Sequence, residues 1–310
     1  SNFHEVHLFW DDKNVISESS GRFNVDLTRA KVVQNIFRER KLFKKLFLTR
    51  KYDIIFFLTD GSIPTSFARY NILHVQIPFQ KFSHASWKIS RYSAVVANSY
   101  FTKRNMDSRV GKRTEVIYPP VATHDFRAAK KENIIISVGR FHTLKKQDVL
   151  IETWKKMHAP RFRLVLAGAL LPADRYYFES LKKNATKGIE FLPNASFKEL
   201  QNLYSKAKIY WHATGFEESD PMRMEHFGIS TVEAMAAGCI PIVFAGGGQD
   251  EIVQDGTSGF LWNTPEELMK KTLHIRDANR IVSAARRRAE IFDVKVFTTQ
   301  YDRLLDRITS

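Results

Sequence analysis

Glu225-His226-Phe227-Gly228-Ile229-Ser230-Thr231-Val232-Glu233 sets two carboxylates on either side of a Phe-Gly step and runs on through Ala234-Met235-Ala236-Ala237-Gly238. Ser230 followed three residues later by Glu233 has the spacing of a capping box, which predicts a helix beginning there. A strand-sized apolar run, Ile240–Phe244, comes next, and then three glycines at 246–248. The order is therefore acid, helix N-terminus, strand, glycine turn. Acceptors for hydroxyls, N–H groups at a helix start and a backbone open to close approach are what a sugar joined to a nucleoside diphosphate requires.

Upstream, Ser137-Val138-Gly139-Arg140 closes another apolar run and Lys145 follows five residues later, where a helix is predicted to start. A guanidinium fork and an ammonium at the mouth of a cleft can grip a diphosphate. Taken alone, each of these features has an ordinary structural explanation. Glu233 can be a helix cap, and the glycines can be a tight turn. Their weight comes from conjunction, since all fall where strands of one unit end.

The 310 residues alternate strand-like and helix-like stretches throughout, the pattern of an α/β protein with parallel sheets. Strands are predicted at 5–10, 54–59, 71–77, 94–97 and 114–118, and again at 134–138, 163–167, 189–191, 209–213, 240–244 and 259–262. Helices are predicted at 146–156, 175–183, 197–206, 230–237, 265–275 and 277–291. Tyr118-Pro119-Pro120-Val121 reads as an extended hinge. The expected units are residues 1–121 and 122–293, two Rossmann-like domains facing a central cleft, with 294–310 a terminal helix packing back on the first. Open α/β sheets bind ligands in such a cleft. The first unit contains only Gly21, Gly61 and Gly111 before the hinge, so the usual opening strand and glycine-rich turn are expected to be missing. Either the chain is truncated there or this unit is short.

Charge is uneven. Residues 1–120 hold 20 Lys and Arg against 10 acids, which is +10 of the total +15. Within residues 31–51, Val32, Val33, Ile36, Phe37, Leu42, Phe43, Leu46 and Phe47 alternate with Arg38, Arg40, Lys41, Lys44 and Lys45. That pattern predicts a basic amphipathic helix able to meet an anionic membrane surface, or else a packed helix with a solvated face. No aromatic-interleaved groove or reader motif accompanies the charge, so nucleic acid is not an expected partner. No apolar run approaches the roughly 18 residues of a membrane span. A signal peptide is not evident, and the lone Cys239 fits the cytoplasm. The expected location is cytoplasmic, peripheral at the inner face of a membrane.

In combination, these residues resemble the retaining glycosyltransferases of family 4, whose architecture is GT-B. The likeness runs through Val138-Gly139-Arg140 with Lys145; Phe191-Leu192-Pro193-Asn194-Ala195-Ser196 with Glu199-Leu200 and Leu203-Tyr204; Glu225 to Gly228 with Glu233 to Gly238; and Gly247-Gly248 with Glu251-Ile252-Val253, followed by Gly256, Gly259 and Phe260. It covers nearly all of 115–290 and is looser before that. The resemblance implies transfer of a hexose, for example mannose, from a GDP- or UDP-linked donor to a glycan or lipid-linked acceptor, with retention at the anomeric carbon. It implies that Arg140, Lys145, Gly247 and Gly248 bind the donor diphosphate and that Glu233 accepts from the ribose. Glu225 would lie beside the transferred sugar, whose hydroxyls would touch the backbone of His226, Phe227, Gly228 and Ile229. Asn194 and Ala195 would lie against the nucleobase; the family usually has Gly where Asn194 stands, and Asn tolerates the same positive φ. The family often places a His two residues before a Pro at a strand end. Here that position is Gln76, with His74 two residues earlier on the same face, so either is the expected first-unit contribution to catalysis. No cofactor and no metal are expected, because the cations stand where a metal would. Two alternatives are a non-catalytic or truncated sugar-nucleotide-binding protein and a sugar-nucleotide epimerase.

Overall fold

The computed structural model describes residues 4–12, 14–16, 26–38, 41–82 and 85–310. Strand β1 (Val6–Phe9) pairs in parallel with β2 (Ala30–Val33) as a separate two-stranded sheet. Helix α1 (Leu42–Thr49) then leads to β3 (Ile54–Leu58), β4 (Tyr70–Val75), α2 (Ala85–Ile89), β5 (Ala94–Ala97), α3 (Tyr100–Asn105), α4 (Ser108–Gly111) and β6 (Thr114–Val116). These strands make a four-stranded parallel sheet in the order β3-β4-β5-β6.

The long basic helix expected over 31–51 is not what forms. Residues 30–33 are a strand, 36–38 a single 3₁₀ turn, and among the described residues of this stretch only Leu42–Thr49 is α-helical. Val32 and Val33 are β-branched and satisfy both periodicities over so short a run; pairing with β1 settles them as strand.

The second half contributes β7 (Glu132–Val138), α5 (Gln147–Met157), β8 (Arg163–Gly168), α6 (Arg175–Asn184), β9 (Ile189–Pro193), α7 (Phe197–Lys206), β10 (Ala207–His212), α8 (Ile229–Ala236), β11 (Ile240–Phe244), α9 (Gln249–Ile252), β12 (Phe260–Trp262), α10 (Pro265–Leu273) and α11 (Ala278–Ala289). All six strands run parallel, in the order β12-β11-β10-β7-β8-β9. The chain lays down β7, β8 and β9 toward one edge, then returns to place β10 on the other side of β7. A crevice opens beyond the strand ends at such a reversal. Arg140 follows β7, and His212 ends β10.

Alternation along the strands divides the core. Ile134, Ile136 and Tyr210 pack with Val232 and Met235 of α8 on one face, while Ile135, Ile209 and Trp211 pack with Leu150 and Trp154 of α5 on the other. Helix α7 starts with a complete capping box, in which Ser196 Oγ accepts the Glu199 amide and Glu199 accepts the Ser196 amide.

The chain passes between the halves twice. Near Val121 and Asp293 the two passes form a parallel bridge, with Val121 N–H donating to Phe292 O at 3.0 Å and Val294 N–H to Val121 O at 3.1 Å. Tyr118, Phe227 and Phe292 meet there, ring centroids 5.1–5.6 Å apart. Helix α12 (Val294–Thr309) then lies on the first sheet, where Tyr301 and Leu304 cover Ile72 and Val96.

Candidate functional site

An ion pair joins the turn after β7 to the loop before α8, at the end of β10. Lys145, in the 3₁₀ turn between β7 and α5, places Nζ 2.7 Å from Glu225 Oε2. Its stem runs beside Gly139, where a Cβ would stand 3.5 Å from Lys145 Cδ. The same Glu225 oxygen lies 3.0 Å from His212 Nε2. Burial works to raise the Glu225 pKa, but the Lys145 charge and the His212 hydrogen bond outweigh it and hold the carboxyl well below its usual range. His212 shifts downward because it is buried, with Glu225 partly opposing.

The glycine turn is shaped by this loop. A Cβ at Gly247, whose φ is +70°, would come within 2.1 Å of Glu225 O, and one at Gly248 within 2.6 Å of His226 O. The Gly248 N–H donates to Glu225 O at 2.7 Å. This corrects the expectation that the Gly248 amide binds phosphate: that amide is engaged in seating the 225–227 backbone. Among the described residues no partner takes the Gly247 N–H. The glycines are needed here for backbone-on-backbone packing.

Gly228 turns the chain into α8 at φ +120°, and a Cβ there would meet the Gln249 amide at 2.5 Å. The amides of Ile229 and Ser230, on the first turn of the helix, have no carbonyl to bond within it. Ile229 is exposed, whereas Phe227 is buried in the aromatic trio at the crossing, so any contact it makes with a sugar is through its backbone. The His226 carbonyl accepts from Ser99 Oγ at 2.6 Å, and its ring Nε2 is buried without a partner.

Glu233, one turn into α8, accepts from Tyr204 Oη at 3.0 Å. Burial pushes its carboxyl up to about 7, against the Tyr204 bond. Arg140 is half-exposed and its Nε donates to Asp174 at 2.6 Å, an anchor the sequence did not disclose. Asn194 has φ +54°; its N–H donates to Gly168 O at 2.8 Å, and its Oδ1 accepts the Leu170 amide at 2.9 Å. Ala195 next to it is half-buried.

The first-half residues separate. His74 is 4% exposed, on the sheet face under α12, with Nδ1 2.7 Å from Tyr301 Oη. It cannot touch a donor from there, which corrects its place among the catalytic candidates. Ile72 and His74 share a face, and α12 covers that face. Gln76, past the strand end, is exposed. The 215–224 segment leading to Glu225 is pinned: Glu218 accepts from Lys146 at 2.9 Å and Arg223 at 2.5 Å, and these bonds pull its carboxyl down to about 2.

Sequence reasoning missed His212, Gln249 and Asp174. His212 carried one signal, its position as the last residue of a strand in a sheet whose strand ends bear the other candidates.

The family described as "Glycosyl transferases group 1" matches residues 122–288, more than half of the chain. The chain is 29% identical over 211 residues to the "GDP-Man:Man(3)GlcNAc(2)-PP-Dol alpha-1,2-mannosyltransferase" of Homo sapiens, covering 58% of this chain and 40% of that protein. It is 31% identical over 172 residues to a "Probable sucrose-phosphate synthase" of Thermosipho melanesiensis, covering 54% and 38%. It thus spans less than half the length of these relatives. Among solved structures it is similar to a glycosyltransferase from Rickettsia africae, with TM-score 0.79 at 17% identity, covering 99% of this chain and 91% of the other. It is also similar to an Anabaena protein solved with UDP and glucose, with TM-score 0.71 at 18% identity over 97% and 91%.

Proposed function

The chain belongs to the glycosyl transferases group 1, built on the GT-B fold, and from that premise we propose that it moves mannose from GDP-mannose to a lipid-linked glycan with retention at the anomeric carbon, as a member of family 4. The observation that carries the site is the Lys145–Glu225 pair at the β7–β10 reversal. Breaking the sugar–phosphate bond leaves negative charge on the diphosphate and positive charge on the sugar ring. Lys145 has three N–H donors, of which one serves Glu225, so it can hold a phosphate oxygen as well. Arg140, steadied through Nε, offers its terminal nitrogens. The Gly247 amide and the start of α8 add N–H groups aimed at developing negative charge. Glu225 takes a sugar hydroxyl, Glu233 the ribose, and the 194–195 turn the base. The departing phosphate oxygen takes the acceptor's proton on the same face.

GDP and mannose are supported by the names of the curated relatives, of which several are GDP-mannose enzymes. The acceptor is placed at a membrane surface. No helix among the described residues is long and apolar enough to cross a membrane, yet α1 exposes Phe43 and Phe47, 78% and 75%, beside Lys41, Lys44, Lys45, Arg50 and Lys51. Two apolar side chains one helical turn apart, ringed by cations, suit the interface of an anionic bilayer at the cytoplasmic face.

The test incubates the chain with GDP-mannose, with and without a dolichol-diphosphate oligosaccharide, and reads the linkage of any product by NMR. An α-linked mannose on the acceptor is expected. A new sugar nucleotide from donor alone would make the protein an epimerase, and binding without transfer to any acceptor would make it a donor-binding protein.

A further inference from the structure

The Lys145–Glu225 ion pair has a third member that the proposed reaction leaves without a task. We infer that His212 is a positioning residue: together with Lys145 it ties down one oxygen of Glu225 and thereby aims the other at the transferred sugar. The inference rests on the sugar-nucleotide reading of the cleft.

Both bonds fall on one atom. Lys145 Nζ and His212 Nε2 reach Glu225 Oε2 at 2.7 and 3.0 Å, while Oε1 has no partner among the described residues. Two donors on one oxygen fix the rotation of the carboxylate about its last torsion, which is otherwise broad. The second oxygen is then presented in a set direction, ready to accept a hydroxyl.

The imidazole is itself held in one form. Its neighbour at Nε2 is an acceptor, so that nitrogen carries the hydrogen. Nδ1 is buried with no partner. A bare lone pair is tolerable there, whereas an N–H would be an orphaned buried donor. Both atoms therefore require the neutral Nε2–H ring.

Its surroundings prevent it from turning. His212 is 4% exposed, and the Tyr210 ring lies 6.4 Å away at 26°. The Gln249 side-chain amide lies 3.4 Å from Nε2, and Thr231 Oγ1 is 3.0 Å from the other end of that amide. Two N–H donors cannot face each other. Turning the amide over puts its oxygen beside the imidazole and its NH₂ toward Thr231, which satisfies all three groups. Gly228 leaves room for that amide and for nothing larger. The titratable groups facing His212 are Glu225, Tyr210 and, through Glu225, Lys145. Among them only Glu225 can use the imidazole N–H.

The experiment compares wild type, His212→Leu and His212→Gln by calorimetric titration with GDP-mannose and with GDP, after thermal melts establish that each is folded. Gln can return an N–H near the Nε2 position, and Leu cannot. His212→Leu should lose about tenfold or more in affinity for GDP-mannose, the scale of a hydrogen bond to a charged group, while GDP binding changes by less than about twofold. His212→Gln should recover most of the loss. Unchanged GDP-mannose affinity in a folded His212→Leu overturns the inference. So does an equal loss for GDP and GDP-mannose that His212→Gln does not repair, since that is a structural defect. If the wild type binds neither GDP nor UDP, with or without a sugar, the reading of the cleft itself fails and the inference falls with it.

Discussion

Glu251 of α9 accepts the backbone N–H of Phe101 at 2.5 Å, so a carboxylate of the second half caps a helix of the first. It also takes the Tyr100 amide at 2.8 Å and the Tyr118 hydroxyl at 3.1 Å, while Ser99 Oγ takes the Thr102 amide at 3.0 Å. The first-turn amides of α3 are thus satisfied, two of them across the junction. Replacing Glu251 by Ala should cost about 2 kcal/mol of stability, from the lost cap and the orphaned amides. Urea unfolding checks this; a change below about 0.5 kcal/mol would show that the contact carries no weight.

Two buried groups with opposite pKa shifts pull acid stability in opposite directions. Burial lowers His74 to about 4 and raises Glu233 to about 7. For His74 the unfolded chain binds the extra proton, so its contribution is complete above about pH 6.5 and is lost as pH falls toward 4. For Glu233 the folded chain binds the extra proton, so its contribution is complete below about pH 4.5 and is lost as pH rises through 7. Over the shared window the two oppose each other and nearly cancel, at about 3 kcal/mol each. Relative to wild type, Glu233→Gln should therefore lose stability on acidification from pH 6.5 to 4.5, and His74→Asn should lose it on raising the pH from 4.5 to 7. Denaturation curves at four pH values suffice, and parallel shifts in all three proteins would refute both assignments.

Lys145 and Glu225 stand or fall together. Lys145→Met leaves a partly buried carboxylate with only an imidazole for company and should destabilise by about 3 kcal/mol. Adding Glu225→Gln should return at least about half of that, because the stranded charge is gone. Additive losses in the double-mutant cycle would mean that the two side chains do not interact in solution.

The exposed face of α1 gives a separate expectation. Phe43→Ser with Phe47→Ser should reduce co-sedimentation with vesicles of phosphatidylcholine and phosphatidylserine by about tenfold or more. Wild-type binding should fall steeply when phosphatidylserine is omitted. Binding indifferent to both changes would remove α1 from the membrane.

Much of the second half was legible because its signals are local. Residues 134–136 and 240–243 are apolar runs buried on both faces, and Ser196 with Glu199 forms a capping box from residues three apart. Asn194 was expected to tolerate a positive φ and adopts one. One failure is local: α8 starts from Gly228 with no side-chain cap, so Ser230 and Glu233 form no capping box. The other failures are matters of partnership across long separations. Whether 30–33 is strand or helix depends on β1, more than twenty residues earlier. The His74 environment depends on Tyr301, 227 positions away, and periodicity could not say that α12 would cover that face. Gly248 read as a phosphate cradle because a glycine admits any close backbone; the backbone it admits is that of Glu225 and His226. His212 went unnoticed because its role exists only once β10 is set beside β7.

The most direct test of the cleft is a crystal structure with GDP-mannose bound. The account predicts the diphosphate within hydrogen-bond reach of Lys145 and Arg140, the ribose at Glu233 and a mannose hydroxyl on Glu225 Oε1. Density for the nucleotide away from the β7–β10 reversal, with the Lys145–Glu225 pair untouched by it, would contradict the account.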